Sequence, residues 1–184
     1  MKQSHLAAYG LLLSFLANDG EELFTYQESS RWAFSHAPSW VPLPDELRRN
    51  GWSQEHTNVG IALISLHWAG AAVAGLRSDG HSAWFQNAAA AWGLHGFGHL
   101  GLCLLRGGYV SGALTAPAVI GYGAWAWHAL RKEGVPCRVS AGGIAASLPV
   151  LLAAHAGAEG ILRAQRAFRA RRYTPRLTIG IDAP

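Results

Sequence analysis

Residues 80–105 read GHSAWFQNAAAAWGLHGFGHLGLCLL, a run with no Asp, Glu, Lys or Arg. A helix rising 1.5 Å per residue needs roughly 20 such residues to cross about 30 Å of hydrocarbon, so the run is long enough to span a bilayer. Its alanines and glycines are the small residues that closely packed membrane helices place at their contacts. Three further uncharged stretches, 58–76, 107–130 and 139–158, reach the same length. A soluble bundle would need charged outer faces on these helices, and none of the four stretches carries one. With the more polar 4–26 as the first span, the reading is an all-α, polytopic membrane bundle of about five transmembrane helices. It forms one domain over 1–160, with 27–56 as a cytoplasmic cap or lid loop and 161–184 as a basic cytoplasmic tail.

Composition supports this reading. The 184 residues are 50% hydrophobic and 14% charged, against about 25% charged in ordinary soluble domains. The mean hydropathy is only +0.11 because the spans use Ala and Gly where other membrane helices use Leu and Ile. Cys103 lies within a span and Cys137 in a polar loop, which leaves no disulfide framework and no Cys-x-x-Cys metal site. The first span lacks an A-x-A-type cleavage site and ends in acids, so it is expected to stay in the protein. The pI near 9.4 comes largely from RAQRAFRARRYTPR, 163–176. These arginines read as a positive-inside tail for lipid headgroups, with no nucleic-acid partner expected.

Five spans put the termini on opposite sides. Lys2, Arg77, Arg131, Lys132 and Arg138 fall on one side and the other ten of the fifteen basic residues on the other. The positive-inside rule then makes the C-terminal side cytoplasmic, in a bacterial inner membrane. Following each helix in its direction of travel brings polar residues from all five to one cytoplasmic-leaflet layer. Span one ends at Asn18, Asp19, Glu21 and Glu22, and span two starts at Asn58. Span three carries His95 and His99, span four begins at Tyr109, and span five ends at His155 and Glu159. Asn18 and Glu22, His95 and His99, and His155 and Glu159 are i,i+4 pairs, each on one helix face. Ionisable groups at membrane depth are costly and usually face a cavity and mark function. The competing account leaves Glu21 and Glu22 among headgroups and satisfies the histidines with backbone carbonyls. Trp92 shares the face of His95 and His99, and Trp68 and Trp125 also lie within spans. An aromatic wall beside carboxylates suits an apolar substrate and a developing cation, with core packing as the alternative.

NDGEE at 18–22, a later membrane-depth His and YVSGALTA at 109–116 together resemble the bacterial HXXEE-motif membrane protein family, whose pattern is H-x-x-E-E, another His, and Y-x-P-G. The resemblance covers roughly residues 10–130. It implies that Glu21 and Glu22 are the two acids, His95 or His99 the later His, and Tyr109 with Gly112 the Y-x-P-G element. Asn18 replaces the leading His and Ser111 the Pro. In size and make-up the chain is also loosely similar to small membrane-bound bacterial terpenoid cyclases.

A carboxyl in a low-dielectric cavity is favoured in its protonated form, so Asp19 or Glu22, with Glu21 next, is expected to act as a general acid toward an alkene or epoxide. Asn18 and Asn58 would orient the acids, and His95, His99, Tyr109 and His155 would relay protons or line the substrate pocket with Trp68, Trp92 and Trp125. The expected protein is an integral-membrane isomerase or lyase of natural-product biosynthesis. It would take an apolar isoprenoid or lipid-like substrate from the bilayer, touch membrane lipids and need no cofactor. Two alternatives stay open: a metal-dependent oxidase or hydrolase, with Glu21, Glu22, His95 and His99 as ligands, and a non-enzymatic lipid-binding or transport protein.

Overall fold

The computed structural model describes residues 1–173, which fold entirely into helices and their connections, with no strand among the described residues. The elements are α1 (Gln3–Ser35), α2 (Asp45–Asn50), α3 (Gln54–Arg77), α4 (Ala83–Arg106), α5 (Ala116–Lys132), α6 (Ala141–Ala145) and α7 (Ser147–Tyr173). Three segments are long and apolar enough to cross a membrane: α3, α4 and the continuous Ala141–Arg172 run through α6 and α7. The five expected spans are not all of that kind. The 33 residues of α1 are interrupted by Asp19, Glu21, Glu22 and Glu28, and α5 has only 17 residues.

Local chemistry sets the boundaries. The Ser53 hydroxyl caps α3 by accepting from His56 N–H, and Ser82 caps α4 by accepting from Phe85 N–H, each satisfying a donor that a helix start leaves unpaired. α4 stops at Gly107, whose φ of 66° is left-handed. Three expected boundaries move. The acids do not end the first helix: α1 continues through them to Ser35, because neither Glu nor the LFTYQ that follows breaks a helix. The expected 27–56 loop therefore begins as helix and shortens to residues 36–53 around α2. Residues 107–115 form a turn, so Tyr109 precedes α5 instead of starting a span. The expected tail continues α7 as far as Tyr173, and 174–184 lie outside the described residues.

α1 lies between α3 and α5, α4 closes the group against α3 and α5, α7 packs on α3, and α6 on α4. The core is built of small residues, Ala7, Ala8, Ala71 and Ala72, around Leu11, Phe15, Trp68, Phe85 and Trp92. Where α4 crosses α5 the backbones touch: a Cβ added to Gly123 would stand 2.7 Å from the Gly93 Cα. Gln86 and Asn87, buried near the start of α4, hold the 136–140 connection. Gln86 donates to the Gly80 and Pro136 carbonyls and accepts from Arg138 N–H, while Asn87 accepts from Ser140 N–H. At the same end Glu133 accepts the Gln3 and Ser4 N–H groups at the start of α1, a favourable place for a carboxylate. Asp79 binds Lys2 at 2.7 Å and His5 at 2.8 Å. Hydrogen bonds from Lys2 and then His5 hold the Asp79 carboxyl below its usual range, and those from Ser4 do the same for Glu133. A depressed folded-state pKa stabilises above the ordinary carboxylate range and is lost as pH falls through the lowered value, so this clasp is fully made at neutral pH.

The Gly93–Gly123 contact yields a test. Gly123→Leu is expected to force α4 and α5 apart and cost about 1–3 kcal/mol, read as a lower melting temperature in detergent. Gly121→Ala should melt at or slightly above the parent, since nothing lies within 4 Å of its added Cβ and alanine favours the helix more than glycine.

Candidate functional site

Asp19 and Glu22 of α1, Trp68 of α3, Trp92, His95 and His99 of α4 and His155 of α7 line one cavity of about 510 Å³. Ridge spacing explains the convergence. Residues 92, 95 and 99 follow i, i+3, i+7 along α4, and 19 and 22 follow i, i+3 along α1, so each set occupies one face. The rings form a continuous wall. Trp68 and Trp92 centroids are 4.9 Å apart, His95 stacks on Trp92 at 5.1 Å, and His99 meets His95 edge-on at 4.3 Å. The Trp92 indole N–H donates to the Ser14 hydroxyl at 2.9 Å, which fixes its orientation.

At the end of this wall three ligand-type atoms meet. His99 Nε2 stands 2.8 Å from His95 Nε2 and 3.2 Å from Glu22 Oε1, and His95 Nε2 is 4.0 Å from the same oxygen. The Glu22 and His99 side chains are 13% and 8% exposed, whereas His95 is 42% exposed. Asn18, fully buried, donates from Nδ2 to Glu22 Oε1 at 3.1 Å and accepts from the Thr115 hydroxyl at 3.2 Å. Its amide therefore holds the carboxylate, and Asn18, expected to bind substrate, does not line the cavity.

Glu21 points the other way. Its carboxylate accepts from the Tyr109 hydroxyl at 2.5 Å, from Leu114 N–H at 3.1 Å, and from Thr115 N–H and hydroxyl at 2.9 and 2.7 Å. Glu21 and Tyr109, both expected to be catalytic, instead tie the 107–115 turn to α1 and stand at the N-terminus of α5. The turn is held along one face of α1 by Glu21, Thr25 and Ser29, spaced i, i+4, i+8. Thr25 shares a hydrogen bond with the Ser111 hydroxyl at 2.7 Å, and Ser29 accepts Ser111 N–H at 2.8 Å. A proline at 111 has no N–H to donate to Ser29 and no hydroxyl for Thr25, so these two contacts account for serine at that position. Gly112, with φ of 79°, lies beneath the His99 ring. A Cβ there would come within 2.4 Å of the ring.

Two other expected residues lie elsewhere. Asn58 is exposed and pairs with Gln54 at 2.8 Å, because its neighbour Thr57 occupies the inward face of α3. Trp125 is 41% exposed on α5, whose inward face is Tyr122 and Ala126. The sequence reading misses His56. It is buried at the start of α3, its Nε2 lies 3.0 Å from His155 Nδ1, and the Trp52 ring stacks on it at 3.6 Å. Its Nδ1 stands 3.8 Å from Glu159, which also binds Arg163 and Arg166 and stays out of the cavity lining. The i,i+4 spacing of Trp52 and His56 is the one signal in the sequence that points to it.

A protein-family model described as "Protein of unknown function with HXXEE motif" matches residues 9–126, more than half of the chain, and the chain belongs to that family. No curated protein and no solved structure matches it, and nothing in these comparisons supports the looser likeness to terpenoid cyclases. The matched region contains the three converging atoms and the turn beneath them.

Gly112→Ala should therefore disturb His99 specifically. It is expected to lower stability by about 1–3 kcal/mol, measured as thermal unfolding in detergent. Gly108→Ala, in the same turn with open space around it, should leave the melting temperature unchanged.

Proposed function

We propose that this member of the HXXEE-motif family is an integral-membrane enzyme that admits an apolar, isoprenoid-like substrate from the bilayer and rearranges it by proton transfer. The observation that carries this reading is the single cavity into which Asp19, Glu22, His95 and His99 all project between mainly apolar and aromatic walls. A pocket of several hundred Å³ lined mainly by apolar side chains with a few convergent polar groups is the usual form of a small-molecule site. Asp19 is the proton donor in this reading, and Glu22 stands beside it on the same face. Protonating an alkene carbon breaks its π bond and leaves a cation on the neighbouring carbon, and protonating an epoxide oxygen breaks a C–O bond to leave a hydroxyl and a cation on the released carbon. The Trp68 and Trp92 faces stabilise that cation without trapping it. Loss of an adjacent proton to a neutral histidine, His155, restores a double bond in an isomerised or cyclised product. Glu21 and Tyr109 serve by fixing the turn and have no part in the proton transfers.

The same proposal sets the chain in a bacterial cell membrane with α1, α3, α4, α5 and α7 as five crossings and the C-terminal end in the cytoplasm. Its support is the excess of arginine on that side and the need for α1 and α5 to accompany the three apolar segments they pack against. A helix of 33 residues is about 50 Å long, longer than about 30 Å of hydrocarbon, so α1 extends past the bilayer core near its acids.

The test is turnover by purified protein on a panel of isoprenoid alkenes and epoxides, followed by mass spectrometry in D₂O. One carbon-bound solvent deuterium per product is expected from an alkene, whereas from an epoxide the deuteron goes to the hydroxyl oxygen and exchanges away. Asp19→Asn and Glu22→Gln should each slow turnover by at least about 100-fold. Full turnover in both variants would sink the acid reading, and ligand binding with no product from any panel member would favour a lipid-binding protein.

A further inference from the structure

We infer that Glu22 Oε1, His95 Nε2 and His99 Nε2 form a site for one divalent transition-metal ion, open toward the cavity. The three atoms lie within 4.8 Å of one another, at 2.8, 3.2 and 4.0 Å. Ligand bonds of about 2.0–2.1 Å in a tetrahedral shell separate neighbouring ligand atoms by about 3.3 Å, which falls in the middle of these distances. Protons account for the arrangement less well. A ring nitrogen carries at most one hydrogen. If His99 Nε2–H donates to Glu22, it has no lone pair for His95, and if it donates to His95, Glu22 faces it without a bond of its own. A cation placed between the three satisfies three lone pairs at once.

The surroundings are those of a built site. Both imidazoles come from one face of α4, and the carboxylate comes from α1 across the cavity. Asn18 donates to the ligating oxygen and fixes its direction. His99 is seated on Gly112, the position in the turn where a side chain would displace the ring. Two imidazoles and one carboxylate favour Zn²⁺, Fe²⁺ and their neighbours over Mg²⁺ or Ca²⁺, which prefer oxygen donors throughout. Three protein ligands leave positions for water or substrate, the form that catalytic ions take. Glu21 is excluded from the set because its oxygens are spent on Tyr109, Leu114 and Thr115. The function of the ion rests on the reading of this cavity as an enzyme site. Asp19 remains free beside it to move a proton, while the ion would activate a water or polarise a substrate oxygen.

Binding is tested on the full chain purified in detergent without a polyhistidine tag, by elemental analysis and by Co²⁺ titration followed in the visible spectrum. About one ion per chain and ligand-field bands of low-coordinate Co²⁺ are expected. His95→Ala and Glu22→Gln should abolish the bands, Asn18→Ala should weaken Co²⁺ binding about 10–100-fold, and His155→Ala should bind like the parent. His95 is half-exposed, so its variant is expected to keep the parent's circular dichroism and to report on metal binding alone. Absence of bands in the folded parent, or equal binding by folded His95→Ala, would overturn the site. The two readings fail separately. Stoichiometric binding without any product removes the enzyme and keeps the metal, whereas Asp19-dependent turnover in a protein that binds no Co²⁺ removes the metal and keeps the enzyme.

Discussion

Four hydrogen bonds on one carboxylate organise this half of the molecule. Glu21 accepts from Tyr109, from Leu114 N–H and twice from Thr115, and every one of these donors belongs to the segment that ends α4 and begins α5. The two N–H groups at the N-terminal end of a helix would otherwise be unpaired in an apolar setting, where each costs free energy comparable to a lost hydrogen bond. The anion also sits at the positive end of the α5 dipole. Because the turn is pinned there, Gly112 comes beneath His99 and Ser111 reaches Thr25 and Ser29. The neighbouring acid, one position on, is rotated about 100° around α1 and is left to face the cavity. Two adjacent glutamates thus separate into an anchor and a cavity-facing group by helix geometry alone.

Asn18 completes this division. It spans the two halves of the site, bonded to Thr115 on the anchor side and to Glu22 on the cavity side. The carboxylate that faces the cavity is therefore braced by the same turn that Glu21 holds. The aromatic wall of Trp68, Trp92 and His95 then fixes the other boundary, with Ser14 of α1 locking the Trp92 ring.

Much of this is legible in residue spacing. The uncharged stretches locate α3, α4 and α7, and the i,i+4 relation of His95 and His99 puts both rings in the cavity with Asp19, Glu22, Trp68, Trp92 and His155. Rotation is what spacing and charge do not reveal. Charge and topology give a residue's level along a helix, but neighbours on the helix differ by about 100° in direction. For that reason Asn58 stands out in the sequence although Thr57 faces inward, and Glu21 is indistinguishable there from Glu22. Hydropathy also misreads 107–115 as span, because its apolar residues are bent by Gly107 and Gly112 and satisfied by a distant carboxylate. His56 is hidden for a related reason, since its partner His155 is remote in sequence. The acids resemble a helix end because polarity marks a membrane boundary, whereas a helix ends only where its backbone is interrupted or capped.

The clasp at the opposite end of α1 has a bearing on the site. Glu133 and Asp79 grip residues 2–5, and α1 then runs unbroken to Asn18, Asp19 and Glu22. A rod held at one end transmits its phase to the other. Adding or removing one residue between Ser4 and Asn18 would turn the acids by about 100° and shift them by about 1.5 Å, carrying Glu22 away from the histidines while every residue of the site remained present. The number of residues in that segment is thus as much a part of the site as the side chains themselves.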